Sequence, residues 1–432
     1  MGSAPYLGAL TRGALMTRGF ATARRLLATA LVVYVVAACA GANHGPVPAK
    51  LPADYTGSGP GTLLAAYPLS QTVPGLTELA SLSARIEYTS TSGIDDSHPT
   101  VDAAVFVPQG TPPPGGWPVV ALGHPMTGVD ANCAPTRSST LSGTSDAIAT
   151  LLVHRYVVVA TDYQGLGLTN AYHPFLDSTT VGLNLIDSVF ATRRLVPATA
   201  VDWIAAGVQQ GGQAAWAADE LTENAGVGLH LVGAISLLPL ADMTGLADLA
   251  MAGQLSVPQR LIFRDYLATL KKEYPDFDLD HYRRGMVKDE WNSLSKCADR
   301  EASDSGGLAA QITPDQLRPD NPEAADILHG FLDKSTLPQG PTAAPLLVGF
   351  GGDDVIAPAT WTERAVRRAC ERGDQIQVET GSTVRFRTVD SPETLDWMRD
   401  RFSGAPARDD CRELLLRAEP VPPGPSASDG DR

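Results

Sequence analysis

The stretch Gly-Val-Gln-Gln-Gly-Gly, residues 207–212, is entered by a mostly apolar run, residues 201–206, and followed by an alanine-rich segment with helical spacing. This layout is that of a nucleophile elbow, a sharp turn from a β-strand into an α-helix. The strained backbone of such a turn needs glycines two residues on either side of the central position, which here are Gly207 and Gly211. In an enzyme of this kind the central residue is a serine. This chain has Gln209 there, and an amide is not a nucleophile.

The length and composition are those of a globular protein. A chain of 432 residues holds one large α/β domain or two medium ones. Its 19% of charged and 44% of hydrophobic residues are ordinary values. The formal net charge of −15 excludes an electrostatic surface for nucleic acid and gives no attraction to anionic lipid head groups. We therefore expect no nucleic-acid partner.

The N-terminal residues are interpreted as an export signal. Two arginines precede an apolar run of 13 residues, 26–38, whereas spanning a bilayer takes roughly 20. The run ends Val-Ala-Ala-Cys, which resembles the bacterial lipobox, so we expect acylation of Cys39 and a cell-envelope lipoprotein held to the membrane by this lipid. The alternative is ordinary secretion with cleavage near Ala38. A start at Met16 instead of Met1 would give a leader of more usual length.

The cysteine count agrees with export. The chain has five cysteines, and assigning one of them to the lipid leaves four, which allow three disulfide pairings. Disulfides suit an exported protein, and no spacing resembles a zinc site, so we expect neither a metal nor a cofactor. The four remaining cysteines are Cys133, Cys297, Cys370 and Cys411.

Hydrophobic patterns alternate between strands and helices, which predicts an α/β fold with a mostly parallel, doubly wound sheet. The predicted strands are residues 84–89, 101–107, 118–122, 156–160, 201–206, 229–237 and 345–351. The predicted helices are residues 146–154, 181–194, the elbow helix to about 224, and 392–402. Residues 240–340 are charged and helix-rich, with helices expected at 266–272 and 277–289. They predict a cap over the carboxyl ends of the strands, where ligands bind in such sheets.

Several stretches resemble a single family, in the same order along the chain. His-Pro-Met-Thr-Gly at 124–128 and Cys-Ala-Pro at 133–135 stand where the family has H-G-T-T-G and C-A-P. Asp-Tyr-Gln-Gly-Leu-Gly at 162–167 resembles its D-Y-E-G-L-G, and the elbow matches G-x-S-Q-G-G-x-A except at the serine. Gly-Gly-Asp-Asp-Val-Ile-Ala-Pro at 351–358 resembles the segment of the catalytic acid. The chain thus resembles the secretory lipases, α/β-hydrolases that cleave triacylglycerols and simpler esters.

The resemblance implies an α/β-hydrolase fold with a helical cap insertion, and the domain boundaries follow from it. We expect an export signal at residues 1–38, the anchor cysteine and a flexible tether at 39–60, the hydrolase core at 61–239 and 341–411, the cap at 240–340, and the end of the core with a disordered tail at 412–432.

The resemblance also implies the positions of a catalytic triad, two of which lack the required residue. Gln209 occupies the nucleophile position and Asp354 the position of the acid. In the family the histidine follows the acid by a few tens of residues, but all eight histidines here precede Asp354, so we place the loss at residues 381–383. Without a histidine, Asp354 is expected to remain as a turn-former. His124 and His173 are expected to be structural.

The oxyanion hole and the disulfides are implied in the same way. The family takes one backbone N–H from the residue after the nucleophile, here Gln210, and another from the loop that contains Pro125 and Met126. Pro125 stands where the family has glycine and supplies no N–H. The implied disulfide pairs are Cys133 with Cys297 and Cys370 with Cys411.

The leading hypothesis for function is non-catalytic, because losing one triad member alone costs roughly a millionfold in rate. We expect a cell-envelope protein whose pocket binds an acyl-chain or ester ligand, or whose surface binds an unknown protein partner. The alternative is an active triacylglycerol lipase or carboxylesterase with a replacement nucleophile. A third possibility is a structural protein with a collapsed pocket. The amide of Gln209 is expected to turn toward Asp354 or residues 381–383.

Overall fold

The computed structural model describes residues 49–69, 74–295, 297, 310–381 and 388–417. Lys50–Arg432 form one compact unit. The predicted export signal, Cys39 and most of the predicted C-terminal tail lie outside the described residues. Within the described ranges, no helix is both long enough and apolar enough to cross a membrane.

A sheet of nine strands lies at the centre, in the spatial order β1-β2-β3-β5-β4-β6-β7-β8-β9. The pairings from β1 through β3 to β5 are antiparallel, and those from β5 across to β9 are parallel, which confirms the predicted mostly parallel α/β sheet. The strands are β1 Leu63–Pro68, β2 Ala80–Thr89, β3 Thr100–Pro108, β4 Trp117–Gly123, β5 Val157–Thr161, β6 Thr199–Val208, β7 His230–Leu237, β8 Leu346–Phe350 and β9 Ile376–Thr380.

Helices cover both faces of the sheet. Successive side chains of β4 belong to different clusters: Val119 packs on one face and Val120 on the other, as the alternation of strand side chains requires. The core helices are α1 Pro74–Leu79, α2 Ser145–Val153, α3 Ser178–Leu195, α4 Gln210–Ala225, α9 Ala359–Arg372, α10 Pro392–Phe402 and α11 Cys411–Leu416. Helices α3, α4, α9 and α11 pack on the first face, and α1, α2 and α10 on the second.

The apolar side chains of the cap form a cluster that also includes neighbouring core residues, among them Phe175, Leu176 and Trp361. Its described helices are α5 Gly245–Ala252, α6 Val257–Glu273, α7 Met286–Asp289 and α8 Pro322–Lys334. The predicted helix at 266–272 lies within the longer α6. The predicted helix at 277–289 is wrong, because that stretch is a 3₁₀ turn at Leu279–His281 followed by the short α7. Gly285, with φ of 54°, interrupts the helical path between them.

Residues 50–56 differ from the flexible tether that their composition predicts. The backbone N–H of Leu51 donates to the carbonyl of Ala66 at 2.8 Å, and that of Asp54 donates to Arg194 at 3.1 Å. Leu51, Ala53 and Tyr55 pack against the core cluster. Their spacing of two residues places all three side chains on one side of an extended chain, where they bury apolar surface. The proline and glycine content of the segment does not indicate this packing.

Candidate active site

The elbow keeps its strained backbone although its central residue is not a nucleophile. Strand β6 ends at Val208 and helix α4 begins at Gln210, with Gln209 between them at φ 55° and ψ −114°. Such a positive φ is costly for a residue with a side chain and persists only where the surroundings impose it. The N–H of Gln209 donates to the carbonyl of Leu237 at 2.8 Å, and its carbonyl accepts from Gln213 at 3.0 Å.

The side chain of Gln209 is half-buried, and among the described residues its amide makes no hydrogen bond. In particular, no hydrogen bond joins it to Asp354. Whether it turns toward residues 381–383 stays a prediction, because Ser382 and Thr383 lie outside the described residues.

Close backbone approach explains the glycines of the elbow. A Cβ atom on Gly211 would lie 2.1 Å from the carbonyl oxygen of Gly123, and one on Gly207 would lie 2.3 Å from the carbonyl carbon of Gly211. Both distances are far below any real Cβ contact. The end of β4, the end of β6 and the start of α4 therefore meet at a point where only glycine fits, whatever residue stands between the two glycines.

The acid position lies two strands from the elbow. Asp354 is in the loop after β8, and β7 separates β8 from β6, which corresponds to roughly 10 Å across the sheet. Its Oδ1 accepts hydrogen bonds from the N–H groups of Ile356 at 2.8 Å and Ala357 at 3.2 Å. The carboxylate therefore stabilises the turn in which it lies. A Cβ on Gly351 would lie 2.7 Å from the carbonyl oxygen of Gly381, so the stretch that lacks the histidine begins beside the acid loop.

The oxyanion loop follows β4 and contains a buried, neutral histidine. The ring of His124 is 1% exposed, with Nε2 3.2 Å from the carbonyl oxygen of Asp162 and Nδ1 2.6 Å from that of Pro125. Burial lowers the pKa of His124 to about 4, so at neutral pH the ring carries one proton and donates one of these two bonds. Pro125 has no N–H to offer, and Met126 packs against the cap cluster.

A second buried histidine binds the residue that follows the nucleophile position. Nε2 of His173 lies 2.9 Å from Nε2 of the Gln210 amide, and Nδ1 lies 3.0 Å from the carbonyl oxygen of Gln164. A carbonyl only accepts, so Nδ1 carries the proton and Nε2 accepts from the Gln210 amide. Burial lowers the pKa of His173 to about 3. The lone pair of this imidazole is thus already engaged.

The family model for secretory lipases matches residues 134–410. The chain belongs to the secretory lipase family. Among solved structures, it is similar to Candida antarctica lipase A in its closed state, with 15% identity, a TM-score of 0.65, and coverage of 83% of this chain and 89% of that one. It is also similar to a ligand-bound form of the rice cell wall degrading esterase LipA from Xanthomonas oryzae, with 18% identity, a TM-score of 0.61, and coverage of 83% and 97%.

At these identities the solved structures establish the fold alone. A comparison with curated protein sequences gave no match. The α/β-hydrolase fold and the family are nevertheless those that the sequence motifs implied. The chain therefore has the α/β-hydrolase fold of its family. The chain has Gln209 at the elbow and Asp354 in the loop after β8, and all eight of its histidines precede Asp354 in the sequence.

The cap is hydrogen-bonded to the acid loop, which is the loop after β8 that contains Asp354. Helix α6 begins with a capping box in which Ser256 and Gln259 bond each other's backbone N–H groups. The same side chains reach across, Ser256 Oγ donating to the carbonyl of Val355 at 2.8 Å and Gln259 Nε2 to that of Ile356 at 2.9 Å. This contact was not predicted, although Ser-x-x-Gln at 256–259 is a recognisable start of a helix.

Two disulfides join parts of the site to the rest of the molecule. Cys133 bonds Cys297, which connects the region after the oxyanion loop to the cap, and Cys370 bonds Cys411, which connects α9 to α11. These are the pairs that the family resemblance implied. Family membership and the disulfides are consistent with export. In the described part of the chain, no group of three or more histidine, cysteine or acidic residues could hold a metal ion.

Proposed function

We propose that this protein is a non-catalytic member of the secretory lipase family and that it binds an acyl-chain or ester ligand beneath its cap. The observation that carries the proposal is the elbow, where Gln209 holds φ 55° and ψ −114° in place of a nucleophilic serine. A backbone this strained presents the central side chain to a ligand. An amide in that position donates and accepts hydrogen bonds but does not attack an acyl carbon.

The two histidines of the oxyanion region support the absence of a base. His173 uses Nε2 to accept from Gln210 and Nδ1 to donate to Gln164. His124 is enclosed against Tyr163, with ring centroids 4.3 Å apart. The pKa values of both rings are lowered by burial to about 3 and about 4, so neither ring readily takes up a proton at neutral pH.

Ligand binding is favoured over a purely structural role because the elements around the elbow are intact. The cap cluster includes Leu240, which follows the elbow's neighbouring strand, and Met126 of the oxyanion loop packs against it. Apolar side chains therefore approach the elbow from the cap, and the half-buried amide of Gln209 supplies polar groups for an ester carbonyl. A mostly apolar site with a few polar groups suits an acyl ligand.

Two measurements on the purified protein test the proposal. Labelling with a fluorophosphonate probe and hydrolysis of a short p-nitrophenyl ester should both equal those of heat-denatured protein. Organic extraction followed by mass spectrometry should release acyl lipids in a stoichiometric amount. Ester hydrolysis at ordinary enzymatic rates would mean that another residue is the nucleophile, and an extract without lipid would leave the structural role.

We also propose that Cys39 is acylated and that the protein is attached to the cell envelope. The support is sequence alone, Val-Ala-Ala-Cys after an apolar run. Stable attachment needs more than one acyl chain, as bacterial lipoproteins have. The native protein should partition into detergent, and Cys39→Ala should move it to the aqueous phase or block processing. An unmodified mature N-terminus by mass spectrometry excludes the anchor.

A further inference from the structure

The segment that returns the chain from the cap to the core is held by carboxylates. Residues 339–344, here called the return segment, connect the region after α8 to β8. Pro341 has no N–H, and each of the other five N–H groups donates to a carboxylate oxygen. The bonds run from Gln339 and Gly340 to Glu220 Oε2 at 2.8 and 3.0 Å, from Thr342 to Asp374 Oδ1 at 2.9 Å, and from Ala343 and Ala344 to Asp219 Oδ1 at 2.9 Å each.

The three carboxylates are buried, and each uses only one of its oxygens. Asp219, Asp374 and Glu220 are 0%, 6% and 9% exposed. The second oxygen of each group, Asp219 Oδ2, Asp374 Oδ2 and Glu220 Oε1, is buried without a hydrogen-bond partner. A buried carboxylate oxygen with no donor is costly when the group is charged, and a proton on it removes that cost.

Few charges compensate the cluster. Asp219 and Glu220 are neighbours on α4, Asp374 follows α9, and Arg372 is the cation that acts on Glu220 and Asp374. Arg372 is exposed, so water weakens its attraction. From α3 the return segment meets only hydroxyl groups, those of Ser178 and Thr179 against Gln339.

The crossing from the core into the cap is compensated differently. Asp242, just before α5, is 3% exposed and is paired with Arg368 at 3.1 Å and Arg364 at 3.3 Å. Two cations therefore face one carboxylate there, whereas at the return segment the exposed Arg372 acts on two of the three carboxylates. The connection at Asp242 and the connection at the return segment thus differ in how strongly their stability depends on the charge of the carboxyl groups.

We propose that the return segment is a proton-dependent latch for the cap, closed while the Asp219–Glu220–Asp374 cluster retains protons and loosened when the cluster becomes fully charged. The cap then stays attached at Asp242, at the Cys133–Cys297 disulfide and through the hydrogen bonds from Ser256 and Gln259 to the loop after β8, while the return segment loosens. This regulation goes beyond the proposed function. It holds whether the site beneath the cap binds a ligand, hydrolyses one or does neither.

The direction of the effect follows from the shifts in pKa. Burial, opposed by the backbone hydrogen bonds, raises the pKa of Glu220 to about 7, from 4.5 for an unperturbed glutamate, and the pKa values of Asp219 and Asp374 are also raised. Because the pKa of Glu220 is raised in the closed form, the closed form binds more protons than the open form at pH values between 4.5 and about 7. Closure is therefore favoured at low pH and is progressively lost as the pH rises through about 7.

Hydrogen–deuterium exchange of the full-length protein tests the latch. Protection factors, which correct for the intrinsic effect of pH on exchange, should fall by about tenfold or more in residues 339–344 between pH 5 and pH 8.5. Amides of β6 serve as the internal reference and should not change. Equal protection of the return segment at both pH values would overturn the proposal.

Matched variants separate the latch from a general effect of pH. Glu220→Gln keeps an acceptor for the two N–H groups but removes the charge, so the pH dependence of protection at Gln339 and Gly340 should be largely lost. Asp187→Asn is the control, because Asp187 is another buried acid with a raised pKa but binds Ser90 and Thr91 instead. It should leave the return segment as pH-dependent as in the native protein. If Glu220→Gln does not fold, Asp374→Asn replaces it, with the effect read at Thr342. A pH dependence that survives both substitutions contradicts the latch.

Discussion

At the scale of single residues, Gln209 shows that the shape of a site and its chemistry are separable. The elbow conformation depends on Gly123, Gly207 and Gly211, whose backbones approach too closely for a side chain. None of these contacts involves the atoms of residue 209 beyond its backbone. The turn therefore does not require a particular side chain at residue 209.

Gln209→Ser alone should remain inactive, because a serine hydroxyl without a base is barely nucleophilic at neutral pH. Adding Thr383→His, or a histidine at Ser382, should give weak ester hydrolysis with Asp354 present to orient the ring. Pro125→Gly in that background should raise the rate by about 10²–10³ if the loop N–H then binds the oxyanion. The assay is p-nitrophenyl ester hydrolysis. Activity in the single serine variant would show that another base is already in place.

His173 gives a prediction for pH. Its pKa is lowered by burial to about 3, below the 6.5 of a free histidine, so the unfolded chain binds more protons between these values. The resulting stability is complete above pH 6.5 and is lost as the pH falls toward 3. His173→Gln removes this dependence. The free energy of unfolding of the native protein, taken relative to that of the variant, should therefore fall by up to about 1.4 kcal/mol per pH unit below pH 6.

Urea unfolding at pH 7, 6, 5 and 4 measures the difference. His329→Gln, at an exposed position on α8, is the control for replacing a histidine outside the core. A constant offset for His173→Gln would mean that the ring takes up its proton at the same pH in the folded and the unfolded protein.

At the scale of elements, the contact between the end of β4 and the start of α4 holds the elbow in place. Gly123 pairs with Gly207 across β4 and β6, and Gly211 of α4 lies on top of them. This three-way contact places the helix N-terminus at the carboxyl ends of the strands. Because this contact is a matter of packing, we expect a substitution there to change the free energy of unfolding rather than an activity.

Gly211→Ala should destabilise the fold by about 1–3 kcal/mol or more, since its Cβ has no space beside the Gly123 carbonyl. The control is Gly330→Ala, in the middle of α8 with nothing within 4 Å of the new Cβ, which should stabilise by about 0.5–1 kcal/mol through helix propensity. Denaturant midpoints of the two variants compare the effects. Equal changes in both would show that the elbow glycine is not sterically required.

At the scale of the whole molecule, the cap is connected to the core by contacts of very different strength. The Cys133–Cys297 bond, with a sequence separation of 164 residues, joins the cap covalently to the core, whereas the Cys370–Cys411 bond, with a separation of 41, joins two core helices, α9 and α11. Hydrogen bonds from α6 to the acid loop and the return segment add polar contacts. Covalent and ionic connections thus hold the cap at separate places.

The two disulfides should contribute unequally. In the chain-entropy model the stabilisation grows with the logarithm of loop length, so replacing both Cys133 and Cys297 by alanine should cost about 1 kcal/mol more than replacing Cys370 and Cys411. All four cysteines are buried, so the loss of packing is similar in the two variants. Urea unfolding of each double variant checks the order. A larger loss from the 370–411 pair would show that local packing outweighs loop closure.

Local patterns predicted most of the central sheet. The runs at 156–160 and 229–237 became β5 and β7, and the helix at 392–402 has the predicted bounds, because hydrophobic periodicity is a property of neighbouring residues. β1 and β9 were missed. They are the two edge strands of the sheet. The sequence of β1, Leu-Leu-Ala-Ala-Tyr-Pro, does not alternate, and β9, Ile-Gln-Val-Glu-Thr, alternates over only four residues.

The sequence by itself determined the elbow motif and the family, since these depend on residue identity at fixed spacing. The absence of two triad members stays a prediction from the order of Asp354 and the histidines. Only the tertiary structure decided which distant side chains meet. Gln210 binds His173 across 37 residues, and Glu220 holds the N–H of Gln339 across 119. Neither partner carries a local signal of the other. Such contacts arise when the sheet brings separate loops to one edge, and their strength depends on burial that no single segment specifies.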